Sequence, residues 1–157
     1  MAIETMTNTH ERAGHGVQAE LQQSLLELID IALQGKQAHW NVVGPAFRPV
    51  HQQLDEIVDA ARLAADEVAE RIATLGGVPD GRAEAVADAR PFEPFPGGNV
   101  KAEHAVEAML QRLNELNQRL RGRIDRLAEA DPISQGILIE AATHLEKQTW
   151  MLRAQRS

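Results

Sequence analysis

The chain has 157 residues, a net charge of −7 and no cysteine, and residues that favour helices dominate its composition. The length fits one domain with a substantial core, and the lack of cysteine excludes disulfides, thiolate metal sites and Cys nucleophiles. The acidic balance argues against a general nucleic-acid-binding surface. The lack of a long apolar run or a signal-peptide core predicts a cytoplasmic protein with no membrane partner.

The N-terminal part of the chain divides into a polar tail and a first helix. Residues 1–15 show no apolar period, so we predict a mobile tail there, followed by one helical domain over residues 16–157. A helical period begins near Gly16 and continues until Gly44 and Pro45 stop it. The first helix is therefore expected to be long and amphipathic.

A second long helix and an irregular connection follow. Residues 50–75 contain neither Gly nor Pro, Pro49 suits the first helical turn, and Gly76 with Gly77 ends the helix. Residues 77–98 are rich in Pro and Gly, and within them the stretch RAEAVADA is predicted to form a short helix. A connection of this length is expected to cross the end of a bundle or to cover an interface.

The C-terminal half predicts two further long helices. The third runs from about Asn99, a good cap, to Ala130, and the fourth starts with Asp131 as cap and Pro132 in its first turn. The polar face of the third helix carries a set of arginines, interpreted as a solvated face rather than a phosphate-binding ridge: Arg112, Arg119, Arg123 and Arg126. Four amphipathic helices with one long connection predict an all-α, ferritin-like four-helix bundle.

The second helix carries a stripe of possible metal ligands. At 100° per residue, His51, Asp55, Asp66 and Glu70 fall within roughly 100° of one another, and His39 precedes them at the end of the first helix. Asp55 and Asp66 are about 16 Å apart along the helix, too far for one metal ion to bind both. A single copy of this helix therefore cannot complete a site from the whole stripe.

An antiparallel second copy of the helix would solve this problem. The midpoint of His51 and Glu70 coincides with that of Asp55 and Asp66, so a two-fold axis there brings opposite halves of the stripe together. We expect small residues around the crossing to allow close approach: Ala60, Ala61, Ala64 and Ala65. Two metal sites per homodimer would result, roughly 22 Å apart. The alternative is a solvated polar face on a helical interaction module that binds no metal.

The same stretch carries a family resemblance. The sequence KQAHWNVVGPAF, followed by His51-xxx-Asp55 and Asp66-xxx-Glu70, resembles the Dps proteins. These are bacterial mini-ferritins first described as DNA-binding proteins of starved cells. The resemblance covers nearly the whole chain, including the short-helix connection and the EKQTWMLRA ending.

The resemblance implies a ferroxidase and iron store that protects against oxidative damage. It implies a hollow shell of twelve subunits built from two-fold dimers, with Fe(II) oxidised between subunits, preferably by hydrogen peroxide rather than oxygen, and ferric mineral held inside. His39, His51 and Asp55 would come from one subunit, and Asp66 and Glu70 from its partner. Imidazole and carboxylate ligands suit iron, but they also suit Zn, Mn or Co, so the ligands alone leave the metal open.

Two neighbours of these ligands have open roles. Trp40 is expected either to pack at the dimer contact or, as the resemblance implies, to lie beside the iron and trap stray oxidising equivalents. Lys36 is one turn before Trp40 and matches a lysine near the centre in this family. A part in proton movement is one interpretation of Lys36, and an ordinary surface lysine is the other.

Further histidines and acidic residues lie outside this ligand pattern. The Glu-x-x-His pairs of the large ferritins are absent from the sequence, so His104 and His144 are interpreted as structural. An acidic cluster before the fourth helix could line an iron-entry pore or form a solvated loop: Asp125, Glu129 and Asp131.

DNA binding is the less favoured expectation. The founding members of the family carry a lysine-rich N-terminal tail, whereas residues 1–16 here contain one Arg, two Glu and no Lys. The C-terminus adds only Arg153 and Arg156, so few counterions could be released on DNA. The alternative function is a DNA-coating, nucleoid-associated stress protein in which iron chemistry is secondary.

Overall fold

The computed structural model describes the backbone of residues 2–156 and the side-chain environments from residue 16 onward. This part of the chain forms four long helices, one short helix and two very short strands. In chain order they are α1 (Ala2–Asn41), β1 (Val42–Val43), α2 (Phe47–Thr74), α3 (Ala83–Ala89), β2 (Val100–Lys101), α4 (Ala102–Leu127) and α5 (Pro132–Arg153). Every helix here is too short or too polar to span a lipid bilayer.

The long helices pack around one apolar core. Helix α1 packs mainly against α2, α4 against α5, and α2 against α5, which closes the bundle. The largest side chains with no solvent exposure come from all four long helices and include Leu21, Leu28, Leu54, Ile57, Leu113, Leu120, Leu138 and Leu145. The predicted all-α four-helix bundle is confirmed, with α3 as the short helix in the connection between the second and third long helices.

The N-terminal boundary differs from the prediction. Helix α1 begins at Ala2, whereas the period in the sequence placed its start near Gly16. Residues 2–15 contain no proline, and polar residues lower helix propensity only slightly, so a helix can continue backward without an apolar face. The predicted tail over 1–15 includes Met1, which lies outside the described residues, and its mobility stays a prediction.

The start of α4 also differs. Asn99 was predicted as the cap, but the helix begins at Ala102 and Lys101 occupies the N-cap position. The backbone of Val100 pairs in parallel with that of Val42, so this segment is extended just before the helix starts. The pairing is between residues distant in sequence, which a local capping pattern cannot reveal.

The start of α5 agrees with the prediction. The Asp131 side chain accepts a hydrogen bond from the Ile133 N–H at 3.2 Å, and Pro132 occupies the first turn. Asp131 also accepts from Arg71 of α2 at 2.8 Å, which ties two helices together at one end of the bundle. Burial raises the pKa of Asp131, but hydrogen bonds from Arg71 and Ser134 outweigh it, so the pKa lies below its usual value.

The arginine face of α4 is only partly solvated: that interpretation was wrong for Arg112 and Arg123, which are buried, whereas Arg119 is half-buried and Arg126 is exposed. Arg123 donates to Glu27 of α1 at 2.9 Å. Arg112 donates to the backbone carbonyls of Glu93 and Pro94 at 2.7 and 3.0 Å and so holds the connection against α4. Long arginine stems cover apolar surface while their heads reach polar partners on neighbouring elements.

Candidate metal centre

Three of the five predicted ligands meet where α1 and α2 adjoin. The imidazole rings of His39 and His51 stack with centroids 3.6 Å apart and an interplanar angle of 19°. His39 Nδ1 lies 3.4 Å from Asp55 Oδ1. Gly44, with φ of +111°, lies in the turn that reverses the chain between the two helices, a conformation that favours glycine. The antiparallel packing of α1 and α2 thus assembles two imidazoles and a carboxylate.

Reciprocal hydrogen bonds orient the two imidazoles. His39 Nδ1 lies 2.8 Å from the backbone oxygen of His51, and His51 Nδ1 lies 2.8 Å from the backbone oxygen of His39. A carbonyl oxygen can only accept, so both Nδ1 atoms carry the donated hydrogen. Each neutral ring then keeps a lone pair on Nε2, the tautomer that a metal ion requires.

Lys36 contacts the third of these residues. Its Nζ donates to Asp55 Oδ1, and both side chains are partly buried. This hydrogen bond lowers the pKa of Asp55 and outweighs the raising effect of burial, and the charge of Lys36 lowers the pKa further, so Asp55 is a carboxylate at neutral pH. Lys36 is therefore a direct neighbour of a candidate ligand, while its part in proton movement stays a prediction.

The other two predicted ligands lie elsewhere on α2. Asp66 and Glu70 are exposed, and Asp66 follows Asp55 by eleven residues, a rise of about 16 Å. Among the described residues of one chain, no three His, Asp or Glu side chains are arranged to hold a metal ion. One chain therefore contains an incomplete site.

The expected crossing at alanines is wrong for three of the four residues, and the fourth, Ala60, is half-buried. Ala61, Ala64 and Ala65 are buried in the core of their own bundle, because at 100° per residue they turn away from the ligand stripe. The side chains that share the exposed ligand face of α2 around the same midpoint are Asp59 and Arg62, both exposed. A second copy on this face would meet charged side chains near the axis rather than alanines.

Apolar side chains flank the incomplete site. Trp40, next to His39 in the chain, is 70% exposed, and Phe47 is 41% exposed with its ring 4.8 Å from that of His51. Leu63, 58% exposed, lies farther along α2. Exposed apolar side chains grouped around polar ones are typical of a protein–protein contact. Sequence reasoning missed Phe47, although its i,i+4 spacing from His51 would have placed the two on one face once the helix start was known.

The remaining titratable residues singled out in the sequence do not form a second metal centre in the described part of the chain. His104 and His144 are both exposed, and His144 Nε2 lies 4.0 Å from a Glu140 carboxylate oxygen. Asp125 and Glu129 are exposed near the end of α4, which leaves both the pore and the solvated-loop interpretations open. No group of ligands in the described part of the chain involves any of these residues.

Comparisons with known proteins agree on one family. The family model of the ferritin-like domain matches residues 18–157. The chain is 37% identical over 141 residues to the fine tangled pili major subunit of Haemophilus ducreyi, which covers 90% of this chain and 75% of the relative. It is 36% identical over 135 residues to the DNA protection during starvation protein of Agrobacterium fabrum, covering 85% and 83%. The solved structure of Mycobacterium smegmatis Dps is similar with a TM-score of 0.87 at 37% identity, covering 91% and 87%.

Proposed function

This chain belongs to the Dps family of ferritin-like proteins, and on that premise we propose that it is a ferroxidase that also stores iron. Membership of the family implies an iron-binding protein with a role in iron storage or DNA protection. Each Fe(II) site would take His39, His51 and Asp55 from one copy of the chain. Asp66 and Glu70 of a second copy would complete it.

The division of the ligands along α2 carries this proposal. Three candidate ligands meet within one chain, while Asp66 and Glu70 stand exposed on the same rigid helix, too far away to join them. A two-fold axis through the midpoint of α2 would bring each exposed pair to the other chain's group of three. The apolar side chains around the group, including Trp40, would be covered by the same contact.

The donor set suits Fe(II) as a substrate. The Nε2 atoms of His39 and His51 each keep a lone pair that can bind a metal ion, and Asp55 is already a carboxylate. Carboxylates and imidazoles bind both Fe(II) and the more highly charged Fe(III). Reduction of one hydrogen peroxide to two waters takes two electrons and two protons, so each peroxide oxidises two Fe(II).

Storage and protection follow from the same chemistry. Hydrogen peroxide is the preferred oxidant in this proposal, and consuming it together with Fe(II) prevents hydroxyl-radical formation. Ferric mineral would collect in a hollow shell of twelve subunits built from two-fold dimers, in the cytoplasm. Trp40 would take up stray oxidising equivalents at the rim of the site as well as packing against the partner.

Subunit mixing tests the shared site directly. One variant carries His51→Ala with Asp55→Ala, and the other carries Asp66→Ala with Glu70→Ala. Each alone should lose peroxide-driven Fe(II) oxidation, because every site lacks two ligands. After reassociation of an equal mixture, half of the dimers contain one of each, and each such dimer has one intact site. About a quarter of the unmodified activity should return.

The control is each variant taken through the same reassociation with itself, which should recover nothing. Mass spectrometry of the mixture establishes that mixed dimers have formed. Mixed dimers without any regained oxidation would exclude a site shared between chains. Full oxidation by the variant lacking His51 and Asp55 would exclude these residues as ligands. Oxidation by the unmodified protein no faster than in protein-free solution would favour a helical module that binds no metal.

A DNA-coating protein with secondary iron chemistry is the alternative, and the name of the Agrobacterium fabrum relative favours it. The net charge of −7 per chain opposes it, since binding to DNA relies on phosphate neutralisation. A gel-shift assay at physiological salt separates the two functions. Strong retardation of DNA by the unmodified protein would support the alternative and association with the nucleoid, and no retardation would leave the ferroxidase as the primary function.

A further inference from the structure

Two opposite charges occupy the centre of the ligand face of α2. Measured from His51 around the helix, Arg62 lies at roughly 20° and Asp59 at roughly 80°, within the stripe that carries the candidate ligands. Both side chains are exposed, and neither takes part in an ion pair with a described residue. Their midpoint along the helix is the same as that of Asp55 and Asp66. They therefore lie next to the two-fold axis of the proposed dimer.

We propose that Asp59 of each chain pairs with Arg62 of the partner, and that these two ion pairs set the register in which α2 meets its copy. The inference rests on the proposed function, because the same axis completes the metal sites. The kind of partner is a second copy of this chain. The surface is the exposed strip of α2 between the ligand groups, with Leu63 beside it.

Charge complementarity about the axis is the first argument. A two-fold axis at this midpoint places each Asp59 at the level of the partner's Arg62, so both pairs combine opposite charges. The two pairs are only three residues apart, about 4.5 Å along the helix, and form one alternating cluster. Leu63, 58% exposed in a single chain, would shield that cluster from water in the dimer. Exclusion of water strengthens such pairs.

Discrimination between registers is the second argument. If the two helices slipped by three residues in one direction, Asp59 would face its own copy. If they slipped by three in the other direction, Arg62 would face its own copy. Both slips bring like charges together, which costs free energy and disfavours the wrong register. The correct register is also the one that aligns Asp55 with Asp66 of the partner, so the charges would protect the geometry of the metal sites.

Charge reversal in the chain tests the ion pairs. Asp59→Arg alone or Arg62→Asp alone sets two like-charge contacts at the axis, whereas the two substitutions together restore opposite charges. Sedimentation velocity over a dilution series measures the concentration at which the chains associate. We expect each single reversal to raise that concentration on the order of tenfold or more, and the double variant to return close to the unmodified value. High salt should reduce the differences.

Glu56→Arg is the matched control for Asp59→Arg, because it makes the same charge change at another exposed position of α2. The residue at the level of Glu56 in the two-fold partner is Ala65, which is buried. It should leave association almost unchanged. Single reversals that associate normally, or a double variant as weak as the singles, would overturn the inference. If a single reversal misfolds, a folded and associating double variant still supports the pairing, and a folded double variant that stays monomeric overturns it.

Absorption of Co(II), used as a spectroscopic probe, separates this inference from the proposed function. The absorption should fall with each single reversal and return in the double variant, since the bound ion needs both chains. If the unmodified protein takes up no Co(II), the proposed function fails, while the association data still test the ion pairs. If it binds Co(II) and the reversals change neither association nor absorption, the inference about the ion pairs alone fails.

Discussion

Gly35→Ala is expected to disturb the candidate metal centre from one helical turn away. Gly35 lies on α1 facing Val58 of α2, next to the contact between Lys36 and Asp55 and one turn before His39. A Cβ atom at this position would lie 2.8 Å from Val58 Cγ2, closer than real Cβ contacts. Val58 is fully buried and branched at Cβ, so its side chain has little freedom to turn away.

The expected loss of stability follows from the contact between the new Cβ atom and Val58. Ordinary contacts begin near 3.4 Å, so the helices must part by about 0.6 Å at Gly35, the difference between 3.4 and 2.8 Å. In an open helix, Gly→Ala would stabilise by about 0.5 to 1 kcal/mol, whereas overpacking a core costs about 1 to 3 kcal/mol. We expect a net loss of roughly 1 kcal/mol in the free energy of unfolding. The displaced ligand geometry should lower Co(II) affinity on the order of tenfold.

Denaturant unfolding and anaerobic Co(II) titration measure the two effects. Gly136→Ala on α5 is the matched control, since a Cβ there meets nothing within 4 Å, and it should stabilise the protein without changing affinity. Val58→Ala added to Gly35→Ala makes room for the new methyl group and should restore much of the affinity. The reasoning is refuted if Gly35→Ala behaves like Gly136→Ala, or if the added substitution at Val58 rescues nothing.

Three further outcomes are expected for the polar contacts of the bundle. Glu27→Gln leaves the buried Arg123 without its main counter-charge and should cost about 2 to 3 kcal/mol in the free energy of urea unfolding. Glu146→Gln, in an exposed pair with Arg121, should cost less than about 1 kcal/mol. Equal losses would contradict the role of burial. Asp131→Ala removes both the cap of α5 and the partner of Arg71 and should cost about 2 kcal/mol, and an unchanged unfolding midpoint would count against it. The pKa of Asp131 is lowered on folding, so its contribution to stability is present above the unfolded-state pKa near 3.9 and is lost as the pH falls through the folded-state pKa. Below about pH 4 the unmodified protein should therefore lose stability more steeply than Asp131→Asn. Parallel curves of unfolding free energy against pH would exclude this linkage.

Local chemistry predicted the helices better than it predicted their surroundings. Asp131 and Pro132 predicted the start of α5 because a cap and a first-turn proline act within a few residues. Asn99 failed as a cap because the backbone just after it pairs with β1, far away in sequence. Arg112 and Arg123 were wrongly placed in solvent because a leucine stripe identifies one covered face. It does not show that α1 and the connection cover the opposite face.

For the candidate site, sequence spacing identified the residues but not their hydrogen-bond partners. The positions of His39, His51 and Asp55 were selected by type and spacing, and the structure brings them together. The reciprocal imidazole–carbonyl hydrogen bonds and the contact of Lys36 with Asp55 depend on how α1 is aligned with α2, which no spacing within one helix encodes. The prediction of a crossing at alanines failed because Ala61, Ala64 and Ala65 lie on a different face of α2 from the ligand stripe and are buried in the bundle.

In the proposed site, the division of ligands along one helix would couple metal binding to assembly. A helix as regular as α2 cannot bend Asp66 back toward Asp55, so in the proposed site only a second chain supplies the missing carboxylates. Metal that binds the dimer but not the single chain stabilises the dimer, and by the same linkage tighter association raises metal affinity. Any change that loosens contact at Asp59 and Arg62 should therefore weaken the metal sites without touching a ligand. A change confined to the buried pair of Glu27 and Arg123 should lower stability while leaving this coupling intact.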